Sequence, residues 1–206
     1  MRRLPLMVLN LVAVAAVSFA QINGTIWQNT PDAGNAGDPA NRSSALPNAT
    51  FTSTAINYNS NVTGYTPALF LNNPVFSNQH NGFNPNASFN NTEVELTGSV
   101  FLNSGNNSFV VGHDDGLTLS ITGIGLVVNQ PGPTGFTNTP FNVNNPGAAG
   151  LFSFTLDYAE CCGAPAVLLW QINGSTVGSV PEPSSMVLFS TVLGGAAFLL
   201  RRRKRA

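Results

Sequence analysis

The chain has 206 residues, of which 43% are hydrophobic and only 8% charged. Its net charge of −1 hides a segregation: Arg2 and Arg3 open the chain, Arg201, Arg202, Arg203, Lys204 and Arg205 close it, and Arg42 is the only basic side chain in residues 21–180. That span also holds Asp32, Asp38, Glu93, Glu95, Asp114, Asp115, Asp157 and Glu160, and eight acids against one base leave about −7. This excludes nucleic acid, whose phosphates need Lys and Arg, and it suits cations and neutral ligands such as sugars.

Residues 1–20 have the form of a secretory signal peptide: a basic start, an apolar run over 6–17, and Ser18-Phe19-Ala20 at the cleavage positions. The exported part is then residues 21–180, a size that fits one domain. Residues 24–27 predict a first strand and 29–48 a Pro, Gly and Asn-rich loop. Residues 50–58 alternate as a strand. Residues 59–92 are a long polar stretch broken by Asn73-Pro74, Asn81-Gly82 and Asn84-Pro85, with Phe70, Phe76, Phe83 and Phe89 pinning it to the body and 68–71 pairing as a strand. Residues 93–102 give the clearest strand, with Val94, Leu96 and Val100 facing the core. Strands follow at 108–111, 117–121 and 124–128, a Pro-Gly loop at 130–135, and strands at 151–158 and 166–172. Short strands at this spacing, with no amphipathic helix of useful length, predict an all-β antiparallel sandwich.

The chemistry concentrates in His113-Asp114-Asp115-Gly116, between two of those strands. Adjacent carboxylates repel unless a positive charge joins them. The plain reading is a solvated acidic turn opened by Gly112 and Gly116; the sharper one is a cation site. A hard ion such as Ca²⁺ takes six to eight oxygens. Zinc fits poorly, because one imidazole at His113 has no further nitrogen or sulfur ligands at suitable spacing.

The C-terminus reads Val180-Pro181-Glu182-Pro183-Ser184-Ser185, an apolar run over 186–200, and a basic tail over 201–206. An apolar run of 15 residues is short of the ~20 that cross a bilayer, and predicts a short transmembrane helix with the basic tail on the cytoplasmic side. This order closely resembles the PEP-CTERM sorting signal of Gram-negative bacteria. The resemblance implies an exosortase as partner, cleavage near Pro181, Glu182 and Pro183, and a setting of exopolysaccharide and biofilm matrix at the cell envelope.

Two further segments carry a second resemblance. One is Glu95-Leu96-Thr97-Gly98-Ser99-Val100 with Phe109 and the run from His113 to Gly123; the other runs from Phe154 through Tyr158, Glu160, Cys161 and Cys162 to Trp170. Together, over about residues 93–172, they resemble the protective-antigen fourteen-type domain shared by adhesins and glycosidase inserts. In its lectin-like members, paired aspartates joined by a cis peptide hold one Ca²⁺ that sugar hydroxyls approach. The resemblance implies Asp114 and Asp115 as the pair and Glu160 as a later-loop ligand, with the backbone carbonyls of Cys162 and Ala164 completing the shell. This chain departs from the pattern at His113, at Thr122 and in its paired cysteines. His113 stands as a ligand-contacting candidate against the ordinary reading of a turn or surface histidine.

Cys161 and Cys162 are the only cysteines. They can pair with each other, pair between chains or stay free; the hypothesis carried forward is a vicinal disulfide that presets the Glu160 loop. Three functions compete: a Ca²⁺-dependent carbohydrate-binding or adhesion module, a purely structural matrix protein, and a glycosidase using the Asp pair with Glu160. With no Ser-His-Asp set, phosphate loop or metal triad in the sequence, the expectation is the binding module and not an enzyme.

Overall fold

A computed structural model describes residues 21–30, 35–36 and 46–178, all within one compact unit. The expected signal peptide, the Pro181-Glu182-Pro183 motif, the apolar helix and the basic tail lie outside the described residues, as does most of the 29–48 loop. Among the described residues no helix is long and apolar enough to cross a membrane.

Two antiparallel sheets face each other. The first has the order β2-β1-β4-β9-β6-β7, formed by β1 (Ile22–Gln28), β2 (Ala49–Ser53), β4 (Thr92–Leu102), β6 (Gly116–Ile121), β7 (Gly125–Gln130) and β9 (Gly150–Glu160). The second runs β11-β10-β5-β8, from β5 (Gly105–Asp114), β8 (Thr137–Asn145), β10 (Val167–Ile172) and β11 (Ser175–Thr176), with β3 (Asn57–Asn59) also paired to β10. Period-two patterning decides which side chains meet. On β4 it turns Val94, Leu96, Val100 and Leu102 inward, and on β9 Phe154, Leu156 and Tyr158. Across the interior, Phe154 of one sheet meets Trp170 of the other edge to face at 4.9 Å between centroids, a preferred aromatic geometry.

Three expectations change. Residues 50–58 are not one strand: the chain leaves the first sheet after Ser53 and enters the second at Asn57. Residues 68–71 are not a strand. Pro67–Phe70, which follows the short turn α1 (Ser60–Thr63), is a single helical turn, α2, because Thr66 caps it through Leu69 N–H and Pro67 occupies the first turn, where its missing N–H costs nothing. The polar segment Thr137–Asn145, for which no strand was expected, forms β8 at the sheet edge, where Pro140 is tolerated.

The long 59–92 stretch is anchored as its phenylalanines suggested. Phe70 and Phe89 are fully buried, 4.4 Å apart, and both stack on Tyr158. Phe76 packs on Phe83 and on Phe51 of β2. This clamps the stretch over the end of the sandwich where β5 gives way to β6, and brings Tyr65 to that end.

Candidate functional site

Asp114 ends β5 in one sheet, and Gly116 begins β6 in the other. The acidic pair is therefore the crossover between the sheets, and its peptide bond is cis. The two glycines do not make the turn, as the sequence suggested; neither has a left-handed φ. Gly116 is required for a different reason: a Cβ there would sit inside the Pro131 carbonyl. Register fixes the neighbours. Asp114 pairs with Val167 at the start of β10, and Gly116 pairs with Ala159 near the end of β9. The pair thus lies beside the 161–166 loop that joins those strands.

Asp114 and Asp115 are 7% and 5% exposed, yet no Lys or Arg occurs among the described residues. Neutral N–H groups hold them instead. Asp115 Oδ1 accepts from Thr134 N at 3.1 Å, and Oδ2 from Cys161 N at 3.0 Å. Burial and the neighbouring Asp115 charge push the Asp114 carboxyl above the usual range, against a backbone N–H bond from Phe136 and the charge of His113. The 131–136 loop thus donates to both carboxylates. It also carries the ring of Phe136, which is 53% exposed.

Glu160 is fully buried. Its Oε1 accepts from the Tyr65 hydroxyl at 2.8 Å, and its Oε2 lies 2.8 Å from the Tyr158 hydroxyl. The same Tyr158 hydroxyl touches the Asp114 carbonyl oxygen. A phenol has one proton to donate, so Tyr158 cannot donate to both at once. All these contacts are satisfied together when Glu160 holds a proton. Desolvation acts in that direction: burial pushes the Glu160 carboxyl up to about 8, although the two tyrosine bonds pull it down. Burial and the adjoining Glu160 likewise raise both Tyr65 and Tyr158.

His113 is buried rather than on the surface. Its Nδ1 donates to the Asp115 carbonyl at 2.6 Å, and Nε2 faces Gln130 Oε1 at 2.6 Å. Cys161 and Cys162 are joined by a disulfide, with α-carbons 3.7 Å apart. The oxygens at this corner are of the kind hard cations take; disulfide sulfurs are not.

The comparisons come to the same architecture. The PA14 sugar-binding domain from an RTX adhesin superposes with a TM-score of 0.53 at 20% identity, over 77% of this chain and 93% of that one. The PA14 domain of the antifreeze protein MpAFP gives 0.59 at 17% identity, over 77% and 87%. This chain has the PA14 fold. Residues 179–204 match the PEP-CTERM protein-sorting motif, which marks an exported protein sorted to the cell envelope. No curated protein matches the chain by sequence.

The PA14 fold brings together Asp114, Asp115, Glu160, His113 and Cys161, all singled out from sequence. Cys162 and Ala164 stand on the adjoining loop, Ala164 before a cis proline. Sequence reasoning missed Tyr65 and Thr134, which act from loops far away in the chain. It had Tyr158 within a motif but gave it no role.

Proposed function

We propose that this protein is an exported cell-surface module that binds carbohydrate through a Ca²⁺ held by Asp114 and Asp115, and that an exosortase processes its tail near Pro181, Glu182 and Pro183. One observation carries the reading: two adjacent, nearly buried carboxylates, hydrogen-bonded by backbone N–H groups, in a set of described residues without a single Lys or Arg. Two such charges at close range favour a divalent cation strongly. The donors are all oxygen, as a hard ion needs. Carboxylate oxygens that already accept one N–H bond keep a further lone pair.

Glu160 has a different role in this reading from that of an exposed ligand. Its carboxyl faces Tyr65 and Tyr158, so it supports the Asp114 carbonyl from inside, while the Cys162 and Ala164 carbonyls supply the loop side of the shell. Sugar hydroxyls meet the open side, next to the exposed Phe136 ring, whose apolar face suits the C–H face of a pyranose. The PA14 relative from the RTX adhesin is described as sugar-binding, which agrees with this reading.

The test is a glycan panel probed with the full chain in Ca²⁺ and again in chelator. Retention of particular glycans in Ca²⁺, lost in chelator, is the expected result. Retention indifferent to chelator would contradict the Ca²⁺ role. Ca²⁺ binding without any glycan would leave a structural matrix protein with a structural ion.

A further inference from the structure

The corner beside Asp115 holds two sulfurs that the calcium reading does not use. Cys161 is half-buried and Cys162 exposed, so a small reductant can reach their bridge. Cys161 Sγ stands 3.1 Å from Asp115 Oδ2, and that carboxylate and both sulfurs place ligand atoms within 4.8 Å of one another. While the bridge is closed, neither sulfur carries a charge or a proton, and the 3.1 Å approach is a plain sulfur–oxygen contact.

We propose that reduction of the Cys161–Cys162 bridge turns this corner into a site for a thiophilic divalent cation such as Zn²⁺. Its ligands are the thiolates of Cys161 and Cys162, one Asp115 carboxylate oxygen, and a water. The step balances with a dithiol as reductant. Two electrons and two protons pass to the bridge, the S–S bond breaks, two thiols form, and the reductant leaves as its own disulfide. Metal binding then releases the two thiol protons.

The geometry needs little movement. Zn–S bonds of about 2.3 Å and Zn–O bonds of about 2.0–2.2 Å on a tetrahedron put ligand atoms roughly 3.5–3.8 Å apart. The Asp115 oxygen and Cys161 sulfur are already near that spacing at 3.1 Å. Only the two sulfurs have to separate, and rotation of neighbouring side chains about χ1 provides this once the bridge opens. The Cys161 N–H keeps the Asp115 carboxylate turned toward the sulfurs at 3.0 Å. With no Lys or Arg among the described residues, two thiolates and a carboxylate form a concentrated negative site that a divalent ion offsets. Redox state thus selects the metal class: oxygen ligands alone when the bridge is closed, two thiolates beside oxygen when it is open. The site shares Asp115 with the proposed Ca²⁺ site but does not require that reading to hold.

The test uses the full chain, oxidised and phosphine-reduced, titrated with Co²⁺ and then with Zn²⁺ as displacer. The reduced chain should bind one Co²⁺ with thiolate-to-metal charge-transfer absorption and tetrahedral visible bands, and release it to Zn²⁺. The oxidised chain and the C161S/C162S variant should bind at least a hundredfold more weakly and show no charge-transfer band. Asp115→Asn should keep that band with affinity reduced at least tenfold. Equal Zn²⁺ affinity in the reduced and oxidised chains would overturn the proposal. So would an unchanged affinity in Asp115→Asn, or loss of the near-ultraviolet dichroism on reduction, since the site needs the folded sheets. Ca²⁺ titration of the oxidised chain is scored separately, so failure there counts against the proposed function alone.

Discussion

Replacing Glu160 by Gln tests the claim that this buried carboxyl holds a proton in the cation-free protein. Gln matches Glu in shape; its carbonyl can accept from Tyr65, and its amide N–H can donate to Tyr158, as the protonated acid does. At pH 5.5, in chelator, Glu160→Gln should therefore lie within about 1 kcal/mol of wild type. The pH dependence is the sharper readout. The folded-state value of about 8 stands above the ordinary 4.5, so between those limits the folded chain binds the proton more tightly than the unfolded one. Its stabilising effect is complete below 4.5, declines as pH rises, and is gone above about 8. At ~1.4 kcal/mol per unit the shift has a ceiling of about 4–5 kcal/mol. The raised Asp114 is common to both proteins and cancels in their difference apart from its smaller coupling to Glu160. Urea unfolding of wild type and Glu160→Gln from pH 4.5 to 8.5 should show wild-type stability falling by roughly 3–5 kcal/mol relative to the variant. Parallel pH profiles, or a Gln variant several kcal/mol less stable at pH 5.5, would refute the reasoning.

Four further outcomes are expected. Tyr158→Phe leaves the Asp114 carbonyl and Glu160 without their buried hydroxyl and should cost about 2–4 kcal/mol, while Tyr65→Phe, half-buried and bonded to Glu160, should cost about 1; thermal unfolding checks the order. Gly116→Ala forces a Cβ into the Pro131 carbonyl and should cost about 1–3 kcal/mol by overpacking, read as a lower urea midpoint. Phe136→Ala should leave the melting temperature nearly unchanged, since the ring is largely exposed, yet weaken retention on any glycan the wild type holds. Ca²⁺ affinity should rise with pH toward about 8, because a cation beside Asp114 opposes protonation of Glu160; calorimetry in buffers of different ionisation enthalpy should show the released proton, and a pH-independent affinity would contradict this.

The sandwich was legible wherever one face of a strand is apolar and the other wet. β4 and β9 show that alternation, and Val94, Leu96 and Val100 of β4 were readable as inward from it. β8 was not, because an edge strand rich in Asn and carrying Pro140 lacks the apolar face that marks a strand. The α2 turn was mistaken for a strand because four apolar-leaning residues have no resolvable period; the signal lay in the Thr66-Pro67 cap. The acidic pair stood out because charge is rare in this chain. The direction in which Glu160 faces was not legible, since it is set by Tyr65, 95 residues earlier, and by a Tyr158 hydroxyl whose partners appear only when β5 and β9 lie in adjacent sheets. The tight approach of Pro131 to Gly116 is likewise a tertiary contact, so a residue expected to supply a turn instead supplies space.

The central claim is that Asp114 and Asp115 hold a cation, and calorimetric titration of the oxidised full chain with Ca²⁺, beside Asp114→Asn/Asp115→Asn, tests it most directly. Saturable one-to-one binding in the wild type, of roughly the 10⁻⁴–10⁻³ M class of extracellular modules or tighter, and none in the double variant, is the predicted result. No saturable heat in the wild type, or equal binding by both proteins, would contradict it.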